Sequence, residues 1–284
     1  MARHVRTRKC NSTVSRKLKQ SILNIGKQKT GGSHRCSECH MTFSSTSAED
    51  AIVHDKYHSL HLYGRKWSNN WGEKIQEYSM GPIADQDTAG ENRIKNSKFV
   101  PSPHGTAERV VQISKNRKSE VQATLEVLRI VNEELQAPHN ENYFWSHVAD
   151  SDNGCTVQRE ERSNGIAFVY VSESRAVGVI TVEFLRLKEK RGRWMVCDTS
   201  SIVPNVLPPL KLGISRIWVC GRQRGRNIAT RLLETARLHS IPGTVLAKWE
   251  LAWSQPSESG AKLAKSYNGV KHEKSGRILI PCYI

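Results

Sequence analysis

The first 35 positions of this 284-residue chain hold ten lysines and arginines but no aspartate or glutamate. A stretch so charged and so poor in apolar residues cannot bury enough surface to fold, so residues 1–33 are predicted to be a disordered basic tail. Positions 1–35 supply +10 of the net +16, leaving +6 for the other 249 residues. Long apolar runs are missing too. None approaches the roughly 20 residues of a membrane span, and the basic start is not followed by the apolar core of a secretory signal, so the expectation is a soluble, intracellular protein with no membrane partner. There is no Gly-x-x-x-x-Gly-Lys-Ser/Thr run, which disfavours a P-loop, and no Gly-x-Gly-x-x-Gly opening a βαβ unit. Seven cysteines, an odd number scattered along a basic chain, argue for a reduced compartment rather than a disulfide framework. Apolar residues make up 37% of the chain, low enough to expect a sizeable unpacked portion.

The basic tail is suited to attract nucleic-acid phosphates without reading sequence, which implies chromatin association, and it can double as a nuclear address. A solvated linker is the alternative. Within it, Gln20-Ser-Ile-Leu23 has a Gln-x-x-Leu spacing that resembles the first half of the peptide docking on the replication sliding clamp. The aromatic pair completing that peptide is missing, since Ile25 and Gly26 sit there, so chance spacing and a clamp contact both stay open.

Cys36-x2-Cys39-x14-His54-x3-His58 has the close-set cysteine pair and close-set histidine pair of a tetrahedral structural Zn2+ site. Ser47 can cap a helix through residues 48–53 that presents both histidines on one face. Glu49, Asp50 and Asp55 occupy exposed helix positions where a DNA-reading finger would avoid negative charge, so the finger reads as a protein-contacting or scaffold element. Tyr57, Leu60, Leu62, Tyr63, Trp67 and Trp71 are expected to pack beneath it, giving a zinc-finger unit over 34–72.

Residues 73–107, rich in Ser, Asn, Gly and Pro, read as a linker. A second domain over 108–284 opens with a strand at Arg109–Ile113, followed by a helix with Ser119 and Gln122 as a capping box and an apolar face of Val121, Leu125, Leu128, Val131 and Leu135, closed by Pro138. Strands at 165–171 and 176–185 form a hairpin, and 193–196 adds an edge segment. Then come a central strand at 214–219, a helix, a strand over 245–253, a short helix over 260–267 and a last strand over 278–284.

The central stretch runs from Ile214 to Arg237. Ile217, Trp218 and Val219 suit a buried strand; Gly221 to Asn227 hold three arginines and two glycines; Ile228, Ala229, Leu232, Leu233 and Ala236 recur at helical spacing. A basic turn feeding a helix N-terminus is a site for an anion such as pyrophosphate. Arg224-Gly-Arg-Asn-Ile-Ala229 resembles the acetyl-coenzyme A loop of the GCN5-related N-acetyltransferases, with Asn227 standing in place of that loop's first glycine. The element order is similar as well. The finger together with Tyr57–Trp67, Gly213-Ile-Ser-Arg-Ile-Trp-Val219 and Ala252-Trp-Ser-Gln-Pro256 resembles the cohesin acetyltransferase family in its short fungal form.

That resemblance implies an α+β fold: a GCN5-related mixed sheet flanked by helices, plus a small ββα-type finger. It implies a nuclear protein-lysine N-acetyltransferase that takes acetyl from acetyl-coenzyme A to the SMC-type ATPase subunit of cohesin. Residues implied for the coenzyme are Ile217, Trp218, Val219, Arg224, Gly225, Arg226, Asn227, Ile228 and Ala229, with the amides of Trp218 and Val219 on the thioester and Arg222, Arg224 and Arg226 offsetting phosphate charge. Glu234 matches the family carboxylate and Ser215 an active-site serine. On the helical wheel Glu234 falls opposite the apolar stripe, with Thr230 and Arg237, so a solvated glutamate stays open beside a base. Relatives with a carboxylate in the Ser-x-Pro motif have their counterpart at Gln255 here, and Glu258 is the fallback. Tyr267 reads as a leaving-group acid or a core tyrosine. The zinc is expected to be structural and separable from coenzyme binding. Rival readings are a zinc-finger DNA-binding regulator and a non-catalytic acyl-coenzyme A adaptor.

Overall fold

The computed structural model describes residues 33–75, 108–137 and 165–284. The basic tail to residue 32, the Gln20–Leu23 peptide, most of the expected linker and Pro138 lie outside the described residues. The described residues begin with a ββα unit. Strands β1 (Ser33–Arg35) and β2 (Thr42–Ser44) pair antiparallel, and the Cys36 amide bonds the Met41 carbonyl at 2.9 Å to close the knuckle between them. Helix α1 (Ala48–Tyr63) is capped by the Ser47 hydroxyl, which accepts the Asp50 amide at 3.2 Å, as expected of that residue.

Gly64 ends α1 at φ 76°, a left-handed angle, and a Cβ there would stand 2.2 Å from the Ala176 carbonyl oxygen. Only glycine lets the chain turn this tightly against the sheet. The segment that follows joins that sheet directly. Strand β3 (Arg65–Lys66) pairs with β7 (Arg175–Phe184), and β4 (Glu73–Lys74) pairs with β5 (Arg109–Gln112). This corrects two expectations. Trp67 is buried in the main core, with Tyr57, Leu60 and Trp71 packed against it, rather than beneath a self-contained finger; and the expected linker begins as a strand.

The remaining elements are α2 (Lys118–Leu135), β6 (Gly165–Ser172), β8 (Gly192–Val196), β9 (Leu212–Val219), α3 (Ile228–His239), β10 (Leu251–Trp253), α4 (Glu258–Asn268), β11 (Val270–Lys271) and β12 (Ile278–Tyr283). Among the described residues, ten strands form one mixed sheet in the order β11-β12-β10-β9-β7-β6-β5-β4, with β3 added to β7 and β8 to β12. β10 runs parallel to both β9 and β12, and the other pairs are antiparallel. The β6–β7 hairpin turns through Glu173 and Ser174, both at positive φ, and is buried along nearly its whole length. Two-faced burial requires cover on both sides. Arg216 and Trp218 point to α2, where they meet Asn132 and Glu134; Gly178, on the other face, meets Ile228 and Leu232 of α3.

Two local expectations shift. Ser119 does not cap α2, which begins at Lys118; instead the Glu120 carboxylate reaches back to the Ser114 amide and to Arg117. The strand expected over 245–253 shrinks to three residues, because the Glu250 carboxylate takes the Ala247 amide at 2.7 Å and holds a short 3-10 turn in front of it.

Candidate active site

The finger comes first in the chain and bears on everything after it. One ligand atom from each of Cys36, Cys39, His54 and His58 lies within 4.8 Å of the others, which fits the contact distances around one tetrahedral ion. Among the described residues His54 Nε2 is buried with no hydrogen-bond partner, a cost that a bound metal would remove. The Cys36 thiol, held down at about 5 by the amides of Cys39 and Glu38 and by His54, is ready to ligate as thiolate, while burial pushes the Cys39 thiol up. His58 Nδ1 is 3.4 Å from Cys36 Sγ, and its Nε2 lies 3.3 Å from Glu38, the outer carboxylate that orients a ligating imidazole. These residues fit a structural zinc ion.

Glu38 does not end there. It also pairs with Arg222, in the turn between β9 and α3. Leu62 of α1 packs on the same turn, 3.2 Å from where a Cβ on Gly221 would be. β9 leaves the β7 edge at Val219, and β3 takes up that edge at Ala176, so the finger segment and the turn meet where one strand replaces the other.

The turn itself passes through Gly225 at φ 79° and Asn227 at φ 59° into α3, whose first residue is Ile228. Asn227 thus holds the left-handed angle of the glycine it replaces. The Asn227 side chain does not cap α3, so among the described residues its first amides are left for an anion. Each arginine of the turn is tied to a carboxylate from elsewhere: Arg222 to Glu38, Arg224 to Glu134 of α2, and Arg226 to Glu108 at 3.1 Å. They fix the turn to three parts of the chain, a role the sequence did not reveal.

Glu134 joins α1, β9 and the turn. It accepts Trp218 Nε1 at 2.7 Å and the Arg224 guanidinium, and lies 3.3 Å from His61 Nδ1 of α1. Burial alone would raise its carboxyl; the bonds from His61, Trp218 and Arg224 outweigh burial and hold it at about 2. Arg224 Nε also donates to the Val219 carbonyl at 2.9 Å.

The cleft opens where β9 and β10 part. Their pairing spans only Leu212–Ile214 against Leu251–Trp253, with a last bond from the Ser254 amide to the Ile214 carbonyl at 3.2 Å. Pro256 has no amide with which to extend the ladder. A register shift opposite Thr181 and Val182 puts Ser215 in a bulge, and β9 runs on to Val219 with one edge open. Ile214–Val219 line one side of a cleft of about 380 Å³, Trp253–Ser257 the other, and Arg224, Gly225 and Asn227–Thr230 its far end.

The Cys220 amide bonds the Val177 carbonyl at 2.8 Å. Strand alternation then turns the Trp218 amide toward β7 as well, and points those of Ile217 and Val219 at the cleft. The amide pair facing a ligand is therefore Ile217 and Val219; Trp218 contributes its indole, through Glu134.

Of the other expected residues, Ser215 lines the cleft, with its Oγ 3.3 Å from Tyr283 Oη. Arg226 does not line it, being drawn off by Glu108. Glu234 is also absent from the lining: its carboxylate pairs with Arg237 at 2.6 Å, and Arg237, which is buried, donates to the Leu246 carbonyl at 2.9 Å. Arg237 was expected on an exposed face. Tyr267 lies beside this pair, its phenol pushed up by burial and by the charge of Glu234. Glu258 is on the surface, where Lys262 at 2.8 Å lowers its carboxyl. Gln255 lines the cleft.

The model of the ESCO1/2 acetyl-transferase family matches residues 208–276, and that of the zinc-finger of acetyl-transferase ESCO matches residues 20–60. The chain is 50% identical to N-acetyltransferase ECO1 of Kluyveromyces lactis over 88% of its own length and 90% of that protein. It is 40% identical to N-acetyltransferase ECO1 of Saccharomyces cerevisiae, over 94% and 95%. A solved structure of the xEco2 acetyltransferase domain bound to a K105-CoA conjugate is 22% identical, with a TM-score of 0.45 over 62% of this chain and 92% of that one. On its full-length relatives and its finger, the chain belongs to the ECO1/ESCO family of N-acetyltransferases.

Proposed function

We propose that this chain transfers an acetyl group from acetyl-coenzyme A to lysine side chains on the SMC-type ATPase head of cohesin, and so establishes sister-chromatid cohesion during DNA replication. The observation that carries this reading is the parting of β9 and β10 at Ser215, which leaves an open strand edge leading straight to an uncapped helix N-terminus. The first amides of α3 and those around Gly225 hold the pyrophosphate. The amides of Ile217 and Val219 bond the pantetheine arm and the thioester carbonyl, where they stabilise the oxyanion that forms as the amine attacks. Ser215 lies at the bulge beside that carbonyl and takes the incoming lysine. Glu234 acts through Arg237, bracing α3 against the Leu246 segment, rather than as the base.

Zinc held by Cys36, Cys39, His54 and His58 keeps the finger folded against the turn. α1 carries Glu49, Asp50 and Asp55 on exposed positions, which opposes its insertion into a DNA groove. Nuclear placement, chromatin association through the basic tail and a clamp contact through Gln20–Leu23 belong to the same reading.

The test is transfer of labelled acetyl to a purified cohesin ATPase head, with histone as control acceptor and Ser215→Ala as control enzyme. Head-selective labelling that falls at least about tenfold in the variant is expected. Coenzyme binding with no labelling of head or enzyme would favour the adaptor reading, which Gln255 in the cleft suits.

A further inference from the structure

An attacking lysine has a reference pKa of about 10.4 and must shed a proton before it can act as a nucleophile. Among the described residues lining the cleft, Glu134 is the one carboxylate, and Trp218, Arg224 and His61 already surround it. Gln255 accepts no proton, Glu234 is paired outside the cleft, and Glu258 is paired with Lys262 on the surface. A hydroxyl route remains, and it starts at Ser215.

Behind Ser215 lies Tyr283, buried, its Oη 3.3 Å from the serine Oγ. The ring is fixed on several sides. It fills the space over Gly213, where a Cβ would come within 2.7 Å of Cζ, and it lies under the Arg191 guanidinium at 4.9 Å. Arg191 in turn holds Glu183 at 2.9 Å and the Ile284 carbonyl at 2.8 Å, locking the last strand in place. Glu183 lies beside the Tyr283 phenol, close enough for its charge to push the phenol up, and is 29% exposed, so water reaches it. A carboxylate in that place draws the phenol proton, which leaves Tyr283 Oη to accept from Ser215 Oγ, a contact whose geometry allows either donor. That polarity leaves the serine oxygen's lone pairs for a donor in the cleft.

We infer that Ser215, Tyr283 and Glu183 form a one-way proton relay that deprotonates the acceptor lysine and delivers its proton to solvent at the back of the sheet. An N–H bond of the ammonium breaks as its proton joins Ser215 Oγ; the serine proton passes to Tyr283 Oη, and the tyrosine proton to Glu183, which releases it to water. Both hydroxyls end neutral and reset by rotation. The freed amine attacks the thioester carbon, the C–S bond breaks, and the proton that the nitrogen then sheds goes to the departing sulfur, so the coenzyme leaves as thiol. Burial pushes the Tyr283 phenol up, so it conducts a proton without standing as the base itself.

The relay rests on the acetyl-transfer reading, and one experiment separates the two. The pH dependence of kcat/KM for the cohesin head is measured for the wild-type chain, Tyr283→Phe, Glu183→Gln and the double variant, with acetyl-coenzyme A binding by calorimetry as the check on folding. Each single variant is expected to lose about 10- to 100-fold at pH 7 with coenzyme affinity kept, and the loss should shrink toward pH 9.5, where more lysine arrives deprotonated. The double variant should be no worse than either single one. Should Tyr283→Phe fail to fold, Glu183→Gln carries the same prediction. Wild-type rates in the variants, a loss equal at every pH, or coenzyme binding lost in both would overturn the relay alone; no transfer by the wild-type chain would overturn the acetyl-transfer reading and the relay with it.

Discussion

Arg222, in the turn that leads into α3, is ion-paired with Glu38, and Glu38 lies 3.3 Å from Nε2 of the zinc-binding residue His58. The finger and the turn into α3 are therefore tied together. The sequence suggested that losing the finger would spare coenzyme binding; the contacts argue the reverse. Chelating zinc, or substituting Cys36→Ala, should weaken acetyl-coenzyme A binding at least about fivefold by calorimetry, since the metal would tie together the knuckle that carries Glu38 and the helix that carries Leu62. Equal affinity with and without zinc would show that the turn holds itself.

Glu134 makes a pH-dependent contribution whose sign is fixed by its depressed carboxyl. A group with a lowered folded pKa stabilises the fold above its unfolded value, near 4.3, and loses that contribution as pH falls toward about 2. Glu134→Gln should therefore cost on the order of 1–3 kcal/mol at pH 7, with a smaller difference from wild type at pH 3.5. Urea denaturation at both values checks it, and a pH-independent difference would mean that the charge is not what stabilises.

Gly64→Ala sets a Cβ against the Ala176 carbonyl at a left-handed backbone angle. A loss of about 2 kcal/mol or more is expected, read as a fall in melting temperature. The damage should concentrate at the junction of finger and sheet. A neutral substitution would place the observed Gly64 turn in doubt.

For Glu234→Gln the expectation is a lower melting temperature with kcat kept within about threefold, because the carboxylate neutralises buried Arg237 one turn further along α3. A hundredfold fall in kcat at unchanged stability would instead make Glu234 the base.

Much of this architecture is legible in the chain. The finger is visible because metal geometry demands close-set pairs of ligands, and the hairpin because its strands are buried on both faces and read as continuous apolar runs. The turn is visible through its arginines and glycines. What stays hidden is long-range or made by the backbone. β3 and β4 are two polar residues each, with no alternation to betray them, and they pair through main-chain bonds. Arg237 sits on the polar side of a helical wheel, yet it is buried because Glu234 and the Leu246 carbonyl satisfy its guanidinium. Tyr283 meets Ser215 across 68 positions of sequence, and no local pattern marks the pair.

The geometry of the cleft is tested most directly by amide exchange and chemical shifts, recorded by NMR with and without acetyl-coenzyme A. Protection should rise at the amides of Ile217 and Val219 and at those of Ile228, Ala229 and Thr230, while Trp218, already bonded to β7, changes little. Perturbation that bypasses β9 and the start of α3 would contradict the placement of the coenzyme between the parting strands.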